Sequence, residues 1–155
     1  MIEYRQKIMD EICKSDELLK LLGYVDEGNP EDIIPYKRCF PYEYIPNTAT
    51  QTGRYINYEI GASIDPKNKV YKNLIIYFYV LCHEDDIPYQ ENGRTYLWYD
   101  KAACELDNIF CQNKILGIGE TTFISNTPYS PAQNLKGRLL QFSVKDFNNG
   151  AKYGK

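Results

Sequence analysis

The chain contains one histidine, His83, and three carboxylates follow it directly: Glu84, Asp85 and Asp86. An imidazole beside carboxylates can hold a divalent cation or shuttle protons. A small metal-dependent hydrolase or nuclease would therefore be built on His83, Glu84 and Asp85. The supporting chemistry is thin. Zinc needs three nitrogen or sulfur donors converging from several elements, and the chain has one histidine to offer. Serine or cysteine catalysis would have to draft the same His83. Its neighbour Cys82 points to the opposite face of any strand the two share, so they cannot work as nucleophile and base. The plainer reading, a solvated acidic turn capping a strand, is the stronger one. No catalytic residue, metal or cofactor is expected, and Glu84 and Asp85 should be ordinary surface positions.

Two other motifs are weaker. Leu116-Gly117-Ile118-Gly119 resembles a fragment of a phosphate-binding loop, but it follows a helical stretch and no Gly-Lys-Ser/Thr is present. Near the C-terminus Lys136, Arg138, Lys145, Lys152 and Lys155 face the single acid Asp146, with Phe142 and Phe147 interleaved. Exposed aromatics beside cations would make a stacking platform for single-stranded nucleic acid. Phe142, however, shares a strand face with Leu140 and Val144, which assigns it to the core.

The elements that would position these groups can be read from periodicity. Residues 3–22 carry a helical stripe of Ile8, Ile12, Leu19 and Leu22, with a break predicted near Lys14 by Ser15-Asp16-Glu17 and a stop at Gly23. An acidic loop spans Asp26–Asp32. Ile33–Ile45 reads as extended, and Pro35, Pro41 and Pro46 confine it to an edge strand or a meandering arm. Arg54–Ile64 alternates as a half-buried strand, turns at Asp65-Pro66-Lys67-Asn68 and pairs with Tyr71–Cys82, apolar on both faces and so central. His83–Gly93 reads as a polar loop. Asp100 is expected to cap a second helix that runs to about Asn113 with Ala103, Leu106 and Phe110 inward, ended by Gly117 and Gly119. Ile118–Ser125 reads as a short strand, Asn126–Leu135 as a loop and Lys136–Phe147 as the last strand. Helices and strands do not alternate as a doubly wound sheet requires. The expected fold is α+β, with a mostly antiparallel sheet of four to five strands and two helices on one face. One domain over residues 1–147 precedes a mobile tail, 148–155.

Composition bounds the function classes. The 155 residues suit one domain, and apolar (43%) and charged (25%) fractions are ordinary for a globular chain. The net charge of −3 argues against a protein that tracks phosphates. The longest strongly apolar run, Leu74–Cys82, falls well short of the roughly 20 residues of a membrane span, and the N-terminus lacks the apolar core of a secretory signal. Cys13, Cys39, Cys82, Cys104 and Cys111 are odd in number without C-x-x-C spacing, and Cys82 and Cys104 are expected to be reduced and buried. Fifteen tyrosines are the most informative feature, because tyrosine is favoured on surfaces that are dry on one side and wet on the other. Tyr77 and Tyr79 share a strand face with Ile75 and Leu81, which lies either under a helix or at a contact between subunits.

Several runs, in order, resemble the tail-terminator or tail-completion proteins of tailed bacteriophages. They are Ile8-Met9-Asp10-Glu11-Ile12, then Asp16-Glu17-Leu18-Leu19-Lys20-Leu21-Leu22-Gly23, then Phe40-Pro41-Tyr42-Glu43-Tyr44-Ile45-Pro46. The long central strand, Gly93-Arg94-Thr95, the helix Ala102–Phe110 and the closing Gly137–Phe147 run complete the series. The resemblance implies a non-enzymatic virion protein, made in the host bacterial cytoplasm. It would assemble as a hexameric ring that ends tail-tube growth and joins the tube to the head connector or stopper, DNA passing through the lumen without sequence-specific contact. A neck or connector-stopper component is the alternative within that class. Under this reading self-association uses the Lys37–Pro46 arm, the Thr48–Gly53 loop and the Lys136–Phe147 strand. The expected interface residues are Arg38, Tyr42, Tyr44, Arg54, Lys145 and Asp146, with Arg38 and Arg54 meeting the Asp26–Asp32 loop of a neighbour.

Overall fold

The computed structural model describes residues 1–24, 28–47 and 52–148. The expected tail beyond Asn148, residues 48–51 of the polar loop and residues 25–27 of the acidic loop lie outside these. The first helical stretch divides into α1 (Ile2–Lys14) and α2 (Asp16–Leu21). Ser15 leaves the helix in an extended conformation, and its Oγ accepts the Leu18 N–H at 3.2 Å, so the residue that breaks α1 also caps α2. Gly23, at φ +77°, ends α2. Its N–H donates to the Lys20 carbonyl at 3.0 Å and the Tyr24 N–H donates to the Leu19 carbonyl at 2.9 Å, a closure that the left-handed residue permits.

The next segment corrects the sequence reading. Before any extended chain comes a single turn, α3 (Pro30–Ile33), with Asn29 Oδ1 accepting the Glu31 N–H at 3.3 Å and a proline suited to the first helical position. A two-residue strand, β1 (Cys39–Phe40), then pairs parallel to the start of β2 (Arg54–Ile64), and its place at the sheet edge agrees with the flanking prolines.

β2 turns into β3 (Tyr71–His83), which lies third of five strands in the order β1-β2-β3-β7-β6, where β6 is Thr122–Ala132 and β7 is Leu135–Phe147. The expected Asn126–Leu135 loop is for the most part β6. Its prolines, 128 and 131, are tolerated because β6 is the outermost strand. In consequence β7 is an interior strand, bonded to β3 along its length and to β6 from Leu135 to Ser143. The His83–Gly93 loop is also mostly ordered. One 3₁₀ turn (Glu84–Asp86) leads into a hairpin of β4 (Pro88–Glu91) and β5 (Arg94–Leu97), whose Asn92 (φ 51°) and Gly93 (φ 75°) supply the positive φ angles of a two-residue turn.

α4 runs from Trp98 to Phe110. Asp100 sits inside its first turn and is not its cap. The carboxylate accepts from Arg138 Nε at 2.7 Å, while Leu97 holds the cap position. Gln112 (φ 59°), two residues past its end, makes the turn expected of the glycines. Gly117 instead allows a close approach to β7, since a Cβ there would lie 2.4 Å from the Lys145 carbonyl oxygen.

Alternation sorts the sheet into two faces. Ile56, Tyr58 and Ile60 of β2, Leu74, Ile76, Phe78, Val80 and Cys82 of β3, and Leu140, Phe142 and Val144 of β7 pack with α1, α2 and α4 in one core. Phe78 is at its centre, with Phe110 at 4.8 Å, Phe142 at 5.8 Å and Tyr58 at 6.1 Å between ring centroids. Each such buried side chain contributes about 1.5–3 kcal/mol. Trp98, fully buried, donates its indole N–H to the Leu21 carbonyl at 2.6 Å and so ties α4 to α2. The fold is α+β, with the helices of this core on one face of a mostly antiparallel sheet. Cys13, Cys39 and Cys82 are buried and free, whereas Cys104 is exposed on α4, contrary to expectation, because Ala103 and not its neighbour takes the inward position.

Candidate functional site

The histidine cluster is built as turn chemistry. His83 is buried at the end of β3, and its Nδ1 accepts the Asp85 N–H at 3.3 Å, which caps the 3₁₀ turn. Asp85 Oδ2 stands 3.2 Å from the same nitrogen, while Glu84 and Asp85 face solvent. Cys82 lies on the other face of β3, in the main core, where burial pushes its thiol up to about 12. Among the described residues no group of three His, Cys, Asp or Glu side chains could hold a metal ion.

The more informative surface is the sheet face opposite the helices. It carries Asn57, Glu59 and Gly61 of β2, Ile75, Tyr77, Tyr79 and Leu81 of β3, and Leu139, Gln141 and Ser143 of β7, as the alternation and register require. Tyr77 and Tyr79 therefore do not lie under a helix. One half of this face is covered by the arm that follows β1. Phe40 stacks on Tyr44 at 4.0 Å, both rings lean on Tyr55, and Asn57 Nδ2 donates to the Tyr44 carbonyl at 2.7 Å. Further across, Tyr129 of β6 packs on Tyr79 at 5.2 Å and donates its hydroxyl to Glu43 of the arm. These residues, with Leu81, Ala132 and Leu135, form a second, smaller apolar cluster. Burial raises the phenols of Tyr55, Tyr79 and Tyr129, the latter two helped by the Glu43 carboxylate, so all three remain neutral. Over the other half, around Ile75, Tyr77 and Gln141, that cluster does not extend.

The six interface residues named from the sequence fall into separate places. Arg38 lays its guanidinium over Tyr55 at 5.6 Å and fills the space where Gly53 (φ +142°) has no side chain. Tyr42 is exposed, with its edge against Phe40 at 5.6 Å, and Tyr44 lies in the arm's stack. Arg54 is engaged within its own chain. It donates to the Asp86 carbonyl at 3.2 Å and the Pro88 carbonyl at 3.1 Å, and sits over Tyr89 and Trp98. Lys145 pairs with Asp65 at 3.2 Å, and Asp146 accepts the Tyr4 hydroxyl. Arg38, Tyr42 and Tyr44 are thus brought together, while Arg54 lies apart from them, and Lys145 and Asp146, adjacent on β7, bond to different partners away from both. The Glu43–Tyr129 link is missed by the sequence pattern. Its one signal there is the tyrosine between Pro128 and Pro131, in a stretch that reads as a loop.

No helix among the described residues is long and apolar enough to cross a membrane. A family model named YomW matches residues 15–144, which takes in every element from α2 to most of β7. No curated protein matches the chain.

Proposed function

The chain belongs to the YomW family, a family of phage type, and from this premise we propose that it is a structural, non-enzymatic protein of the phage head–tail junction. It forms a ring on the end of the tail tube, stops the tube's growth and joins it to the head connector or stopper, with DNA passing through the lumen. The observation that carries this reading is the half-covered sheet face. A lone globular chain has no use for Ile75 and Tyr77 along β3, with Leu139 of β7 opposite Tyr79, on the side of the sheet that its own helices leave. An assembling subunit does, because tyrosine-rich, partly apolar surfaces suit contacts that become dry on docking. The arm beside that face is held at a few defined points, by the Asn57 bond, the Phe40–Tyr44 stack and the Tyr129–Glu43 bond, and so keeps the neighbouring surface in one shape.

The reading is tested by removing the gene from the phage that encodes it and examining the particles by electron microscopy. The expected result is filled heads that stay unjoined, together with tails that exceed their normal length. Normal, infectious particles lacking the protein would overturn the reading.

A further inference from the structure

The two edges of the five-stranded sheet are each half closed and half open, and the open halves lie at the same end. At the two ends of β2 the Gly53 carbonyl accepts the His83 N–H at 3.1 Å and the Asp65 N–H donates to the Tyr71 carbonyl at 3.0 Å, so odd-numbered positions bond inward to β3. Even-numbered positions face outward, and Ile56 shows it by donating to the Arg38 carbonyl at 3.0 Å. Ile60, Ala62 and Ile64 therefore aim their N–H and C=O groups away from the sheet. At the two ends of β7 the Asn134 carbonyl accepts the Glu84 N–H at 2.9 Å and the Asn148 N–H donates to the Val70 carbonyl at 2.8 Å, which turns even positions to β3 and odd ones to β6. Ser125 and Thr127, opposite Gln141 and Leu139, bond inward, while Phe123, Asn126 and Pro128 face outward, and a register shift between Phe123 and Ser125 leaves Ile124 as an extra residue in this edge.

One cross-strand row reads Cys39, Ile56, Val80, Arg138, Pro128. In it β1 occupies one edge and a proline with no N–H closes the other. A second row reads Ile60, Ile76, Phe142, Phe123. Beyond Arg5, which reaches from α1 to Glu59 on the other face, the edge Ile60-Gly61-Ala62-Ser63-Ile64 has no charge, no proline and no bulge. Ile64, Phe123 and Ile124 are among the exposed large apolar side chains. The long strands β2, β3, β7 and β6 alternate in direction. A β6 edge laid beside the β2 edge of another copy, with the same face outward, is therefore antiparallel.

We propose that the partner for these edges is a second copy of this chain, the Ile60–Ile64 edge of one subunit pairing with the Phe123–Asn126 edge of the next. The join is head-to-tail, so it repeats, and the twist of the continuing sheet curls the series towards closure. This gives the ring its interface, and rests on the functional reading only for the ring's place in the virion.

The test uses the full chain and the variants Ala62→Pro and Asn126→Pro. Each removes one outward N–H and leaves the internal ladders intact. Sedimentation equilibrium is run on each alone and on an equimolar mixture, with thermal melting as the check on folding. The parent is expected to associate beyond a dimer, and each variant alone to associate about tenfold or more weakly. The mixture is expected to form dimers and stop there, because each variant keeps the edge that the other lacks. A parent monomeric up to millimolar concentration, variants that associate like the parent, or a mixture no larger than its components would overturn the proposal. An interface lost in Ala62→Pro alone would overturn it too, since that marks two β2 edges pairing symmetrically. Should a proline variant not fold, Ile64→Lys and Ile124→Lys, at exposed positions on the two edges, carry the same expectations. All of this is read in solution without tail tubes, so its failure is separate from that of the junction reading, which gene removal tests.

Discussion

Tyr129 donates its hydroxyl to Glu43 across the open face of the sheet, tying the arm after β1 to the outermost strand on the opposite edge. The bond is exposed, so its net worth is on the order of 1 kcal/mol or less. Tyr129→Phe is expected to leave the melting temperature nearly unchanged. It should speed amide hydrogen exchange in residues 41–47 relative to the core strands. Unchanged exchange there would mean that the Phe40–Tyr44 stack and the Asn57 bond hold the arm without it.

Gly53 and Arg38 occupy one space. With φ at +142° and a Cβ position 2.0 Å from the Arg38 guanidinium, any side chain at residue 53 is strained and displaces the cation from Tyr55. Gly53→Ala is expected to lower stability by about 1–3 kcal/mol in denaturant unfolding. A change below about 0.5 kcal/mol would show that the arginine is free to move aside.

The cysteines separate by burial. Thiols at Cys13, pushed up to about 11, and Cys82, pushed up to about 12, lie in the core with the fully buried Cys39. Cys104 is exposed. An aromatic disulfide reagent is expected to label Cys104 fast in the native state and Cys13, Cys39 and Cys82 only on unfolding. Fast loss of Cys82 would mean that the helix layer opens readily.

Asp65 sets part of the acid sensitivity. Its carboxylate accepts the Lys67 N–H at 2.9 Å and faces Lys145, and these two groups, in that order, hold it below the usual carboxylate range. A lowered folded-state pKa gives stability that is present above the unfolded value of about 3.9 and is lost as pH falls through the folded one. The parent should lose this contribution below about pH 4, and Asp65→Asn should show a shallower acid limb in thermal melts. Identical acid limbs would remove Asp65 from the account.

What the sequence discloses follows the range of each interaction. β3 is legible because nine consecutive strongly apolar residues, Leu74–Cys82, suit a central strand with apolar side chains on both faces, and the break at Ser15 because capping is local. The start of α4 is not, because its first turn is set by the Trp98 N–H donating to the distant Ile87 carbonyl at 2.8 Å, and Asp100 is taken by Arg138. β6 reads as a loop because Pro128 and Pro131 exclude a central strand, and being outermost is a tertiary fact. For the site, the shared face of Tyr77 and Tyr79 is plain from alternation, but which side the helices take is not. Arg54 reads as a cation free for a neighbour only while the β4–β5 hairpin that encloses it with Tyr89 goes unrecognised, although Asn92-Gly93 marks its turn.

The central claim is a position in the particle, and the direct measurement is to locate the protein there. Virions carrying the chain with a small C-terminal epitope, labelled with gold-conjugated antibody and imaged by electron microscopy, are predicted to show label confined to the junction of head and tail. On tails purified without heads, the label should sit at the head-proximal end alone. Label spread along the tube, label at the distal tip, or particles that carry none of the protein would contradict the account.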